Sequence, residues 1–422
     1  MLKKLTSVSD FSKNVLILIT GTTIAQLIPV ALSPILSRLY TPANFGVFAI
    51  FMSITGIIGS IATFRYEMAI MLSDNEKDAA NTLAISVIIS FLLSVAIALL
   101  ILLFPNTISG WSGLGENTLY LYFVPISVFS IGIYQAFNYW SISLKNYTGN
   151  AYSRVAQTSS GSFINIVLGY LQKSPFGLIL GQVIGQLLAA LVLGYKTLTN
   201  SKKLMELVSV KEMKWNLIKH KTHAVVNTSH VLFDSILNNG ISFLLLFCFS
   251  NNIVGLYAFS FRILKAPLSL IGSAMGQVFF QEASKLKNKN NPIKPLILQL
   301  YRKQFFIGFV PFLILFLFAP SIFKFVFGNE WTEAGTITQI ITPWIFLNFI
   351  ASPVSPITIV LEKQKQAFLI TIIDLLLKTV SIWAGYCFES YLLSFLLMSL
   401  SGCLLMVFDL FWYYHLSADK KN

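Results

Sequence analysis

The sequence predicts an all-α membrane protein of about twelve transmembrane helices. Of its 422 residues, 55% are hydrophobic and only 11% are charged, and the mean hydropathy is +0.72. A soluble protein of this length carries about 25% charged residues. Because lipid cannot satisfy backbone N–H and C=O groups, apolar segments that cross a bilayer without closing into a barrel must be helices.

Twelve apolar segments are each close to the roughly 20 residues that a helix needs to cross the hydrocarbon core. The first is expected to be a retained helix, since it is long enough to span and no small-residue cleavage pattern follows it. In chain order the segments are Val15–Ile35, Asn44–Phe64, Asn81–Phe104, Thr118–Leu144, Arg154–Leu171, Phe176–Tyr195, Ala224–Phe249, Ile253–Phe279, Phe305–Phe327, Thr336–Leu361, Ala367–Tyr386 and Tyr391–Tyr414.

The distribution of Lys and Arg predicts the orientation. With the amino terminus in the cytoplasm, 24 of the 30 Lys and Arg fall in cytoplasmic segments, and only Arg38 and Lys173 fall outside. This is the positive-inside pattern, with both termini cytoplasmic. The formal charge of +13 therefore needs no nucleic-acid partner. The segments 196–222 and 281–304 are expected to be Lys-rich cytoplasmic connectors, and 105–117 a flexible outer loop.

A weak internal repeat suggests two halves. The second predicted helix begins Gly46-Val47-Phe48-Ala49, and the eighth begins Gly255-Leu256-Tyr257-Ala258, an offset of 209 residues. We therefore expect two parallel six-helix lobes around a central cavity, residues 1–200 and 223–422, joined by a Lys-rich linker at 201–222. In transporters built this way the substrate binds between the lobes.

A few charged residues remain inside the predicted spans. Each costs about 2.5–3.5 kcal/mol at the helix centre, so each must face protein or water. Lys324 lies near a helix end and can snorkel. Those expected near mid-depth are Asp234, Arg262, Lys265, Asp374 and Lys378.

These residues lie on three helices, and polar neighbours accompany Asp234. On the seventh helix, Asn227, His230, Asp234 and Asn238 share one face at spacings of three and four. On the eighth, Arg262 and Lys265 are one turn apart and outnumber the single Asp234 with which either could pair. A positive cavity of this kind suits an anion, phosphate above all.

Asp374 and Lys378 form an acidic-first i,i+4 pair, which could act in transport or only hold helices together. No P-loop, nucleophile elbow or metal-ligand spacing is present in the sequence. We expect no cofactor and no enzymatic activity.

Three stretches carry a family resemblance: residues 36–48 (Leu-Ser-Arg-Leu-Tyr-Thr-Pro-Ala-Asn-Phe-Gly-Val-Phe), Arg65-Tyr66-Glu67 with residues 69–72, and residues 255–258. They resemble the polysaccharide-transport proteins, the Wzx-type O-antigen and capsule flippases of the multidrug/oligosaccharidyl-lipid/polysaccharide exporter superfamily. The resemblance covers the amino-terminal quarter and the eighth helix best.

The resemblance implies a flippase of the bacterial inner membrane. Such a protein moves undecaprenyl-diphosphate-linked oligosaccharide units to the periplasmic leaflet by alternating access, beside a glycan polymerase machinery. Here the diphosphate would bind Arg262, Lys265 and Lys378, and the sugars would contact Asn227, His230 and Asn238. Asp234 or Asp374 could carry a coupling H⁺ or Na⁺.

Three other functions stay open. An ion-coupled drug or metabolite antiporter of the same superfamily should have an acidic, aromatic cavity. A membrane glycan polymerase or ligase usually needs a sizeable outer loop with catalytic residues. A structural scaffold for glycan assembly would not need buried cations.

Overall fold

The computed structural model describes residues 20–112, 114, 118–144, 146–200 and 204–417. All regular secondary structure in these ranges is helical, which confirms the predicted all-α class. The start of the first predicted segment, from Val15, lies outside the described residues, as do several of the lysines that predict the orientation. These are Lys3, Lys4, Lys13, Lys145, Lys202, Lys203, Lys420 and Lys421.

The main helices follow the predicted order of segments. They are α1 (Thr20–Leu39), α2 (Pro42–Gly59), α3 (Glu76–Leu103), α4 (Phe123–Ser143), α5 (Tyr147–Leu171), α6 (Pro175–Asn200), α7 (Val210–Lys219), α8 (Lys221–Cys248), α9 (Asn251–Pro267), α10 (Ser273–Asn288), α11 (Lys294–Phe327), α12 (Thr332–Ala351), α13 (Gln364–Cys387) and α14 (Tyr391–Leu416).

Ten helices within the described residues are long and apolar enough to cross a membrane. The two predicted spans that fall outside this set are α5 and the α9–α10 segment. Helix α5 has 25 residues and is therefore about 37 Å long, more than the hydrocarbon core requires. The protein is a multi-pass membrane protein, and the ten helices together with these two account for the twelve predicted segments.

Three predicted connectors are largely helical, so the interpretation of them as loops is wrong. In the 196–222 segment, α6 continues to Asn200 and α7 covers Val210–Lys219. In the 281–304 segment, α10 continues to Asn288 and α11 already begins at Lys294. Pro105–Ser112 is a short helix within the predicted outer loop. The reason is that Lys, Gln and Glu end an apolar run without ending a helix, because they are good helix formers. Proline at the first helical position is also well tolerated.

The chain divides into two compact units. Unit 1 comprises the described residues up to Tyr40 together with Val47–Ser242, and unit 2 comprises Thr41–Gly46 with the described residues from Phe243. This division runs through α8. The lobe boundaries at 200 and 223 stay a prediction.

In unit 1, a turn between α2 and α3 contains the Arg65-Tyr66-Glu67 motif. Phe64 and Arg65 both have positive φ, of 46° and 60°. The fully buried Glu67 accepts a hydrogen bond from Thr63 and lies 3.1 Å from the Arg65 guanidinium. The ion pair compensates for burying a carboxylate, so the motif holds this turn in its left-handed conformation.

Unit 2 brings the two halves of the sequence repeat together. A Cβ on Gly46 would overlap the Asn251 carbonyl, and a Cβ on Gly255 would overlap the Pro42 carbonyl. The two contacts are related by the same 209-residue offset as the repeat itself. The absence of a side chain at both positions lets the first turns of α2 and α9 pack backbone to backbone.

Candidate functional site

The polar face predicted on the seventh membrane helix lies on α8, in unit 1. Asn227, His230, Asp234 and Asn238 are all on this continuous helix. The imidazole of His230 lies 3.2 Å from the Asp234 carboxylate, and the two side chains are 61% and 44% exposed. Asp234 therefore has a partner on its own helix. Its pairing with a cation on α9 stays a prediction.

Unit 1 also contains polar contacts that sequence reasoning missed. Ser235 donates to the Gly56 carbonyl at 3.2 Å and Asn239 donates to the Ser235 carbonyl at 2.8 Å, so this side of α8 packs on α2. On α5, the Arg154 guanidinium lies within hydrogen-bond distance of Tyr134 and Thr22, at 3.3 and 3.4 Å. Arg154 is the first residue of the predicted span Arg154–Leu171, so the sequence counts it among the cytoplasmic Lys and Arg.

In unit 2, the predicted eighth span is interrupted. Helix α9 ends at Pro267, a π-helical turn covers Leu268–Gly272, and α10 follows. A proline inside a helix removes one backbone hydrogen bond and crowds the preceding turn, and single π turns are frequent at functional sites. In the sequence, Pro267 is the residue that could have indicated this interruption. Arg262 and Lys265 lie in the last two turns of α9, directly before this irregular segment.

Lys265 lines a groove with a volume of ≈ 510 Å³. Its side chain is exposed, whereas Arg262 is half-buried. The remaining polar lining consists of Gln277, Asn348 and Ser352, and the rest is apolar or glycine. The Ser352 hydroxyl has no hydrogen-bond partner within the described residues. The groove thus offers a cation and uncommitted polar groups in an otherwise apolar wall.

Aromatic rings connect the predicted cations of unit 2. The Lys265 ammonium lies 5.2 Å from the centroid of Phe261, and Phe261 stacks on Trp344 at 6.2 Å. The Lys378 ammonium lies 4.5 Å from the centroid of Trp344. The structure therefore places Lys265 and Lys378 at opposite ends of one stacked ring pair, and cation–π attraction stabilises the charge of Lys378, whose side chain is only 11% exposed.

Asp374 and Lys378 form the predicted i,i+4 ion pair on α13, which is confirmed. The Lys378 side chain is 11% exposed and the Asp374 side chain 24% exposed. The pair uses only Oδ2 of Asp374. Oδ1 of the same carboxylate has no hydrogen-bond partner among the described residues.

Asp374 lines a second cavity, of ≈ 360 Å³, which Asp409 also lines. Asp409 is 7% exposed, and its Oδ1 likewise lacks a partner in the described part of the chain. Ser355, Thr358, Thr371, Trp412 and Tyr413 are the other lining residues that carry polar groups. Two carboxylates with available oxygens and several hydroxyls can accept a proton or a small cation.

Asp409 is the main residue that sequence reasoning missed. It lies in the run Val407-Phe408-Asp409-Leu410-Phe411, an acid among large apolar residues. An acid in this apolar context indicates a functional residue. Because Asp409 is only seven residues from the end of α14, the sequence alone suggests a residue at the membrane interface instead. No cluster of three or more metal-ligating side chains occurs within the described ranges.

These features define a class of protein: a multi-pass helical membrane protein with charged cavities inside its spans, as transporters have. Three solved structures share the fold over nearly the whole chain. An inward-facing multidrug resistance MATE family transporter of the MOP superfamily is 16% identical, with a TM-score of 0.70 over 94% of this chain and 96% of that one. The lipid II flippase MurJ, in an inward closed conformation, is 14% identical, with a TM-score of 0.70 over 96% and 91%.

A third structure differs from the others in its described pocket. It is a MOP superfamily transporter from Pyrococcus furiosus, for which a reversed polarity of the binding pocket suggests a different function; it is 14% identical, with a TM-score of 0.61 over 96% and 95%. No curated protein sequence matches the chain. Residues 35–336 match the family described as polysaccharide biosynthesis protein, and the chain belongs to that family.

Proposed function

We propose that this protein is a flippase of the bacterial inner membrane. It moves undecaprenyl-diphosphate-linked oligosaccharide repeat units from the cytoplasmic to the periplasmic leaflet, for O-antigen or capsular polysaccharide synthesis. Both termini are cytoplasmic. The observation that carries the proposal is Lys265 in the unit 2 groove, one turn after Arg262, in a member of a polysaccharide biosynthesis family.

The diphosphate is the part of the substrate that needs cations in the membrane. Arg262 and Lys265 hold it, and Lys378 contributes when its own carboxylate partner is neutralised. Charge-assisted hydrogen bonds to phosphate are the strongest that a side chain makes. The sugars contact Asn227, His230 and Asn238, and the polyprenyl tail stays in lipid.

The carboxylates couple this binding to an ion. H⁺ or Na⁺ entering the acidic cavity neutralises Asp374 or Asp409, which weakens the hold of Asp374 on Lys378. Asp234, 3.2 Å from His230 in unit 1, is a further acid that can take up the coupling ion. A released cation attracts the anionic substrate, so ion binding and substrate binding favour each other.

Complementation of a flippase-null strain tests the cationic site. Arg262→Ala and Lys265→Ala each remove a charged partner of phosphate, worth about 1.5–3 kcal/mol or a 10- to 100-fold loss of surface glycan flux. Lys265→Arg should retain much of the activity. Lys324→Ala, which removes an exposed cation near the end of α11, is the matched control. Normal surface glycan with both alanine variants, at normal protein levels, would overturn the proposal.

The site of substrate accumulation separates the flippase from a polymerase. Deletion of a flippase traps lipid-linked glycan in the inner leaflet. Loss of a polymerase instead leaves single repeat units on the outer leaflet. In the proposed role the protein works beside the polymerase, which consumes its product.

A further inference from the structure

Helix α7 stands out because it is too short to span a membrane and yet exposes large apolar side chains. It has ten residues, which is about 15 Å of helix. Val210, Trp215 and Ile218 are 69%, 61% and 69% exposed. An exposed tryptophan on a short helix beside membrane spans is typical of the membrane–water interface.

The opposite side of α7 is fixed to unit 1. The Tyr66 hydroxyl donates to the Leu217 carbonyl at 2.9 Å, and Asn216 on the same side is fully buried. Two ion pairs clamp the helix at its ends: Lys77–Glu212 at 2.9 Å and Lys219–Asp74 at 2.8 Å. The orientation of the exposed face is therefore set by contacts within unit 1.

The exposed face mixes cations with apolar groups. Lys211 and Lys214 lie at helical spacing among the apolar residues and are exposed. The only acid on α7, Glu212, is already paired with Lys77, so these two lysines have no acidic partner in the described part of the chain. A purely apolar face would suit acyl chains or a protein groove. Alternation of ammonium groups with Trp and Ile suits the boundary between headgroups and acyl chains.

We propose that the face formed by Val210, Lys211, Lys214, Trp215 and Ile218 binds anionic phospholipid headgroups. The two ammonium groups contact phosphates, and the apolar side chains enter the upper acyl region. Through the clamps to Asp74 and Lys77, the lipid surface thereby holds the α3 end of unit 1. The proposal does not depend on which substrate the protein carries.

Fluorescence quenching of the full-length protein in nanodiscs tests this binding. The signal of Trp215 is obtained as the difference between the native chain and Trp215→Phe. It is measured against increasing fractions of brominated phosphatidylglycerol in phosphatidylcholine, and in parallel against brominated phosphatidylcholine in phosphatidylglycerol. We expect Trp215 to be quenched at low phosphatidylglycerol fractions, with a relative binding constant well above one. Each lysine replaced by glutamine should lower that constant about fivefold, and both together about 25-fold.

Charge-retaining and distant variants are the controls. Lys211→Arg with Lys214→Arg should preserve the preference, and Lys289→Gln, an exposed lysine in unit 2, should not change it. The proposal is overturned if brominated lipid of either kind leaves Trp215 unquenched, as expected for a protein-docking face. It is also overturned if the quenching does not depend on lipid charge, or if the glutamine variants leave the relative binding constant unchanged.

Discussion

The Asp374–Lys378 pair can be tested for its contribution to both stability and transport. The Lys378 ammonium is 11% exposed and lies on Trp344, and the Asp374 side chain is 24% exposed. Removing one member of a buried pair typically costs 3–5 kcal/mol, because the other charge is left uncompensated. Partial exposure of Asp374 reduces this, so we expect Lys378→Met to cost about 2–3 kcal/mol and Asp374→Asn about 1–2 kcal/mol.

The double variant separates the pair from its surroundings. Asp374→Asn with Lys378→Met leaves no unpaired charge and should lie within about 1 kcal/mol of the native protein. The coupling energy in the cycle is then about 2–4 kcal/mol. Unfolding in mixed micelles, followed by tryptophan fluorescence, measures it. The exposed pair Lys285–Glu282 is the control and should couple by less than about 0.5 kcal/mol.

Transport by the double variant then decides the role of the pair. A purely structural pair predicts that restored stability brings restored surface glycan. A coupling pair predicts normal protein levels with little glycan. A coupling energy near zero would refute the claim that each charge of the pair stabilises the other.

Three further predictions follow from single contacts. Asp409→Asn should leave protein levels unchanged and remove the ion dependence of flipping in a vesicle assay; unchanged dependence would exclude Asp409 from coupling. Gly255→Ala overlaps a backbone carbonyl and should cost about 1–3 kcal/mol in thermal unfolding, whereas Gly240→Ala, which meets no atom within 4 Å, should be nearly neutral. The hydrogen bond from Lys219 lowers the pKa of Asp74, and the same bond raises the pKa of Lys219. Their mutual stabilisation should be full between about pH 4 and pH 10, and fall away as acid protonates the carboxylate or base neutralises the amine. Hydrogen exchange of α7, corrected for intrinsic rates, should show the acid-side loss, and Asp74→Asn should abolish that dependence.

The fold could be predicted because its signals are local. Twenty consecutive apolar residues identify a span wherever the chain goes afterwards. The Asp374–Lys378 pair was equally accessible, since an i,i+4 contact depends only on the helix that carries it. The boundaries at 288 and 294 could not be predicted in the same way, because hydropathy marks where lipid ends rather than where a helix ends.

The cavities required tertiary structure. The lining of the groove at Lys265 comes from α9, the π turn, α10, α12 and the segment after α12. The residue pattern within one helix does not show which other helices will line the same cavity. Asp409 acquires its significance only because packing places it in one cavity with Asp374, 35 positions earlier in the chain. The π turn depended on how the chain around Pro267 relieved the lost hydrogen bond, which propensity alone does not decide.

The arrangement within unit 2 gives a physical reason for ion coupling under the proposed function. The cationic groove and the acidic cavity share Pro356 and Ile359 in their walls. Asp374 faces the acidic cavity, and its partner Lys378 lies on the ring pair whose other end carries Lys265. Neutralising the carboxylate leaves positive charge on Lys378, on the same ring pair as the ammonium of Lys265. An anion bound between or beside two cations lowers the repulsion between them. A proton or cation entering one cavity thus raises the affinity of the other for a diphosphate, without any requirement for the two ligands to touch.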